Sequence, residues 1–141
     1  MTRPRNEISA SPIGLRVRDQ RKLIDQIEEG FPYRTLERLQ ESLGISASEA
    51  AEVLRIPLRT LTRRKKEGRL RPEESERVLR IARLIEDATR LHEGDLDQAR
   101  TWLKSSKRAL DGKTPLEMAR TEIGAREVES LLGRLEHGVY S

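Results

Sequence analysis

Apolar residues recur at intervals of three and four along most of this 141-residue chain, the spacing that lines one face of an α-helix. The pattern predicts a series of short amphipathic helices. Leu23, Ile24 and Ile27 form the first stripe, from Asp19 to a stop at Gly30. Pro32 suits the first position of a second helix, where Leu36, Leu39 and Leu43 face one way until Gly44. Ser46-Ala47-Ser48-Glu49 then has the form of a capping box, in which serine and glutamate each satisfy an orphan backbone N–H of the other. Ala50, Ala51, Val53 and Leu54 line the inward side of that third helix, which cannot run past Pro57 without a clash and a lost hydrogen bond. In the helix that follows, Leu58, Leu61 and the stem of Lys65 are expected inward, leaving Arg59, Thr62, Arg63 and Lys66 outside until Gly68.

Pro72 restarts the chain in a longer helix with a broad apolar face from Val78 to Leu91, stopped by Gly94. Asp95 can cap the next helix, which carries Leu96, Ala99, Trp102 and Leu103, and Trp102 reads as a core residue. After the turn signal Asp111-Gly112, Thr114-Pro115-Leu116-Glu117 joins a capping box to a proline at N1, predicting a helix that ends near Gly124. A last helix turns Val128, Leu131, Leu132 and Leu135 inward before Gly138. The fold class is therefore all-α, with a helix-turn-helix unit over 19–93 followed by a small helical unit over 94–141. Residues 1–18 hold Pro4, Pro12 and Gly14 and no sustained period, so they are expected to form a mobile basic arm. Its Arg3, Arg5, Arg16 and Arg18 could touch phosphates, although a frayed and solvated terminus accounts for them more simply.

Composition narrows the chemistry. Aromatic residues make up 3% of the chain and charged residues 37%, so the cores must be aliphatic and a β-sandwich is disfavoured. There is no cysteine, which removes disulfides, thiolate zinc sites and thiol nucleophiles. No apolar run reaches the length of a membrane span and no leader sequence is visible, so the cytoplasm is the expected location. His92 and His137 lie far apart and no nucleophile, metal or phosphate-loop motif occurs, so neither an enzyme nor a cofactor or metal site is expected.

The net charge of +4 matters less than its clustering. From Arg55 to Arg71 eight basic residues face a single acid, Glu67. Solvated helix faces usually interleave both signs, as Arg77, Arg80, Arg83 and Arg90 do with Glu73, Glu74, Glu76, Glu86 and Asp87. The unmixed stretch instead suits DNA phosphates and base edges, with Arg59, Thr62, Arg63, Arg64 and Lys66 as candidate contacts.

The segment Ala51–Thr62, AEVLRIPLRTLT, resembles the helix-turn-helix of the Xre repressor family: small Ala51 where the helices touch, Ile56 and Leu61 in the core, Thr60 before the latter. Arg55 stands where that family has a turn glycine and Pro57 where it has a polar cap, which predicts a longer or differently shaped turn. Trp102-Leu103, Gly112-Lys113-Thr114-Pro115-Leu116-Glu117, Gly124 and the ending Glu136-His137-Gly138-Val139-Tyr140-Ser141 resemble the toxin-binding domain of Xre/MbcA/ParS antitoxins.

That resemblance implies an antitoxin that occludes the active site of a RES-domain toxin acting on NAD and represses its own operon as a homodimer on operator DNA. The candidate toxin contacts are Arg126, Glu129, Arg134, Glu136, Val139, Tyr140 and Ser141. Tyr140 is the natural anchor, although packing against its own domain is an equal alternative. Two rival readings stand beside this one. A stand-alone helix-turn-helix repressor would use the C-terminal unit for dimerisation, and a protein adaptor would direct the basic helix at an acidic protein.

Overall fold

The computed structural model describes residues 8–17 and 19–138, and eight α-helices fall within them. These are α1 (Gln20–Glu29), α2 (Tyr33–Leu43), α3 (Ala47–Leu54), α4 (Leu58–Glu67), α5 (Pro72–Leu91), α6 (Leu96–Lys104), α7 (Pro115–Met118) and α8 (Glu122–Glu136). The capping residues act as their chemistry dictates. Ser46 and Glu49 form the reciprocal capping box at α3, Thr114 and Glu117 form another at α7, and the Asp95 carboxylate accepts from the Gln98 N–H at α6.

The twenty-residue α5 is the axis of the molecule. It packs against α1, α2 and α3, and it also carries α6 and α8. Val78, Leu79, Ile81, Ala82, Leu84, Ile85 and Ala88 are all buried along it, a stripe wide enough to serve both groups of helices. Around position 93 the backbone does break: Glu93 and Gly94 both take positive φ before Asp95 caps α6. The core does not divide there, because one continuous cluster joins Leu23, Leu36 and Leu54 to Leu103, Leu116 and Leu132. Trp102 is half-buried against this cluster, with the Lys107 ammonium 4.8 Å from its ring centre.

The stretch expected to be a mobile arm is a folded ribbon over the part that is described. Strands β1 (Ile8–Ala10) and β2 (Leu15–Val17) pair antiparallel around a 3-10 turn, Ser11–Ile13. Ala10, Ile13, Leu15 and Val17 are buried in the core. The Ser42 hydroxyl donates to Pro12 O at 2.9 Å, and the Ser11 N–H donates to the Glu86 carboxylate at 3.0 Å. Strands of three residues are too short to show a period, and Pro12 and Gly14 serve the turn rather than marking disorder. Arg3, Arg5 and Arg18 lie outside the described residues.

Three side chains differ from the expected facing. Ile24 and Leu58 stand 46% and 45% exposed, and Lys65 is exposed. Gly124 differs too, since it lies in the first turn of α8 instead of closing the helix before it. A Cβ there would come within 1.8 Å of the Met118 carbonyl oxygen. The glycine thus permits α8 to begin directly against the end of α7.

Candidate functional site

The helix-turn-helix is built from α3 and α4. Three residues join them, Arg55-Ile56-Pro57, and the turn closes on Arg55 in the left-handed region (φ 56, ψ 44) with the Ile56 N–H donating to Ala51 O at 3.0 Å. The arginine therefore adopts the conformation a glycine would take, so the turn has the short form of the motif. Arg77 of α5 holds this corner, its Nη1 donating to Leu54 O and Arg55 O at 3.3 and 3.1 Å. Ile56 and Leu61 are buried on either side of Pro57 and lock the two helices together.

On α4 the side chains of Arg59, Thr62, Arg63, Lys65 and Lys66 are exposed. Of these cations only Arg63 meets a carboxylate among the described residues, Glu67 at 3.9 Å. Thr62 donates to Leu58 O at 3.1 Å. The fifth candidate, Arg64, is not on this face. It is 6% exposed, with Nε 2.8 Å from Glu74 Oε1 and Nη2 3.1 Å from Oε2, a bidentate pair inside the protein. Glu74 also accepts the Arg71 N–H at 2.8 Å, which caps α5. Burial alone would raise the Glu74 carboxyl, but the hydrogen bonds from Arg64 and Arg71 prevail and hold it below the usual range. Arg64 is thus a clamp from α4 to α5, with its guanidinium engaged inside the protein and not on the exposed face where it was expected. Helical phase would have shown it, since Arg64 follows Leu61 by three residues.

The other candidate residues lie on α8, whose inner face buries Gly124, Ala125, Val128, Leu131 and Leu132. Arg126 and Glu129 are exposed, with Arg126 3.7 Å from Glu122. Glu136 accepts from Arg90 Nε of α5 at 3.1 Å, so it ties the end of α8 to the axis helix. Arg134 is half-buried, and its Nε is the one buried side-chain polar atom without a partner among the described residues. Val139, Tyr140 and Ser141 lie outside the described residues. The arrangement therefore splits the candidates: Glu136 is tied to α5, Arg126 and Glu129 border one groove with α5, and Arg134 lies half-buried beside Ala109 and Leu110. Sequence reasoning passed over Ile123, which is 76% exposed. Its phase, five residues before Val128 and away from the inward stripe, was the available signal.

Among the described residues no group of three or more His, Asp or Glu could hold an ion, and none of the helices is long and apolar enough to cross a membrane. His92 is half-buried with Nδ1 2.8 Å from Ala88 O, and His137 is exposed at the end of α8.

Two family models cover these two regions in order. Residues 22–83 match the antitoxin Xre-like helix-turn-helix domain, and residues 87–138 match the antitoxin Xre/MbcA/ParS C-terminal toxin-binding domain. This chain belongs to the Xre antitoxin family. It is 39% identical over 130 residues to the antitoxin Xre of Yersinia enterocolitica, covering 92% of this chain and 88% of the relative. The antitoxin Xre of Photorhabdus laumondii is 34% identical over 82% of this chain and 78% of its own. Among solved structures, a chain of the crystal structure of the M. tuberculosis MbcT-MbcA toxin-antitoxin complex superposes with a TM-score of 0.55 at 25% identity, covering 77% of this chain and 96% of that chain. Membership in the Xre antitoxin family gives the two faces their classes: the α3–α4 unit is a DNA-binding helix-turn-helix, and the segment that ends in α8 is a toxin-binding domain.

Proposed function

We propose that this antitoxin neutralises a RES-domain, NAD-consuming toxin by covering its active site, and represses its own operon by binding operator DNA through α4. The observation that carries the reading is the order of the two matched modules on one chain, with the exposed cations of α4 in the first and α8 in the second. Arg59 and Arg63 lie one helical turn apart near the start of α4, where a recognition helix meets base edges in the major groove. Arg59, Arg63, Lys65 and Lys66 neutralise phosphates, which makes binding steeply dependent on salt. Such motifs read two half-sites about one DNA turn apart, so the repressing form is a homodimer. It acts in the cytoplasm, where its operator and its toxin are found. The work divides between residues 19–93, which bind DNA, and 94–141, which bind toxin, while the shared core ties the two mechanically.

The test is co-expression of the chain with the toxin encoded beside it, following growth, cellular NAD and activity of the shared promoter. Arg59→Ala/Arg63→Ala should lose about 1–3 kcal/mol of operator affinity per contact and flatten the salt slope, yet protect cells from the toxin as well as the wild type does. Unchanged operator affinity would place the recognition surface elsewhere, and growth arrest despite abundant wild-type chain would remove the antitoxin role toward that toxin.

A further inference from the structure

The flank of α8 beside Ala109 and Leu110 carries a stripe with a chemistry of its own. Ile123, Arg126, Glu127, Ser130 and Arg134 follow at spacings of three, one, three and four, off the buried face of Val128, Leu131 and Leu132. With Ala109 and Leu110 beside them they border a shallow groove of roughly 510 Å³. Two independent features in it lack partners. Ile123 is the most exposed large apolar side chain among the described residues, at 76%, and Arg134 Nε is buried with no acceptor. A guanidinium held with one nitrogen buried and unpaired is unfavourably placed, so little is lost when the half-buried side chain turns outward to meet a carboxylate at the groove.

We infer that the toxin docks along this stripe, with Ile123 entering an apolar recess of the toxin and Arg134 receiving one of its carboxylates. The inference deepens the proposed toxin-binding role and rests on it. Three observations select the toxin over other occupants. The stripe lies wholly inside the segment matched to the toxin-binding domain. Because Arg126 pairs with Glu122, Arg134 is the cation of the stripe that meets no carboxylate among the described residues, so the stripe offers one place for a partner's carboxylate. Ile123 and Arg134 also stand about 16 Å apart along the helix, a span that suits a protein surface rather than a small ligand. Ile123 is then the anchor at the far end, and Arg126, already 3.7 Å from Glu122, is a rim charge.

The experiment measures affinity of the full chain for a catalytically inactive form of the toxin encoded beside it. The variants are Ile123→Asp, Ile123→Leu and Arg134→Gln, each checked for melting temperature and oligomeric state. Ile123 is exposed in the first turn of α8, where an aspartate favours the helix dipole, so Ile123→Asp should fold normally. It should lose at least about thirtyfold in toxin affinity and stop protecting cells. Ile123→Leu should retain both, Arg134→Gln should weaken binding, and operator binding should be unchanged in all three. Wild-type affinity in folded Ile123→Asp would overturn the inference. So would conversion of a dimer to a monomer with toxin binding intact, which would assign the stripe to a second copy. Failure of the wild-type chain to bind would overturn the functional reading, and the stripe's occupant with it.

Discussion

The outer faces of α4 and α8 belong to helices of similar make, yet they solve recognition in opposite ways. On α4 the exposed Arg59, Arg63, Lys65 and Lys66 face a single exposed acid of the helix, Glu67, 3.9 Å from Arg63, so the face projects a positive field. On α8 acids and bases alternate, several are already paired to one another or to α5, and an isoleucine stands out among them. A field attracts any polyanion, and its specificity must come from how firmly the helix is held. A mixed face with an apolar anchor gains affinity only from a partner of matching shape. The support behind each differs accordingly. Behind α4 lies a buried ion pair, Arg64 with Glu74, and behind the start of α8 lies a glycine pressed on a carbonyl, Gly124 on Met118.

The largest effect should come from breaking the support of α4. Removing one partner of a buried pair costs about 3–5 kcal/mol, and Glu74→Gln leaves Arg64 only the exposed Glu67, 3.5 Å from Nη1, so it should lower the thermal midpoint by an amount near the lower end of that range. Arg64→Met/Glu74→Leu, which removes both charges together, should be close to neutral in stability. Operator affinity measured on that double variant then separates the clamp's contribution to the fold from its contribution to the pose of α4. The pH dependence has a definite sign. Folded Glu74 holds its proton less tightly than it does unfolded, so its stabilisation is complete above the ordinary glutamate value of about 4.3 and is lost as pH falls through the lower folded value. Acid melts of the wild type should therefore converge on those of Glu74→Gln.

A smaller loss should follow at α8. Gly124→Ala would raise stability by about 1 kcal/mol if helix propensity decided the matter. The added Cβ instead meets Met118 O at 1.8 Å, so the chain must shift and the expected result is a loss of about 1–3 kcal/mol. Toxin affinity should fall with it, because the start of α8 carries Ile123. A more stable Gly124→Ala protein with unchanged affinity would mean that α7 and α8 separate freely.

The same contrast explains what could be read from the sequence. Helix starts were legible wherever a cap sits within three residues of its partner, as at Ser46–Glu49 and Thr114–Glu117, because that chemistry is local. The exposed cations of α4 were legible from charge and phase together. Illegible were the features that need a distant partner: the Arg64–Glu74 clamp between two helices, and the ribbon at 8–17, which packs on α1, α2 and α5. Gly124 was visible as a resemblance, but the carbonyl that requires it lies across a turn the sequence does not display.

The smallest effect should be a gain, at the corner where the two helices of the DNA-binding unit meet. Arg55 holds φ 56, a conformation in which a Cβ crowds the following carbonyl and costs about 1 kcal/mol relative to glycine. Glycine also has more freedom to lose on folding, so Arg55→Gly should stabilise by a few tenths of a kcal/mol up to about 1. The Arg55 carbonyl that receives Arg77 Nη1 is main chain and survives the change, so the corner keeps its clasp. The side chain, however, is exposed at the edge of the basic face, and removing it takes away one cation. The variant should therefore melt slightly higher while its operator affinity falls, with the salt slope smaller by about one counterion if Arg55 meets a phosphate. A higher melting point with an unchanged slope would show that α4 alone defines the DNA-binding face. A lower melting point would show that the arginine side chain contributes more to the turn than its backbone strain costs.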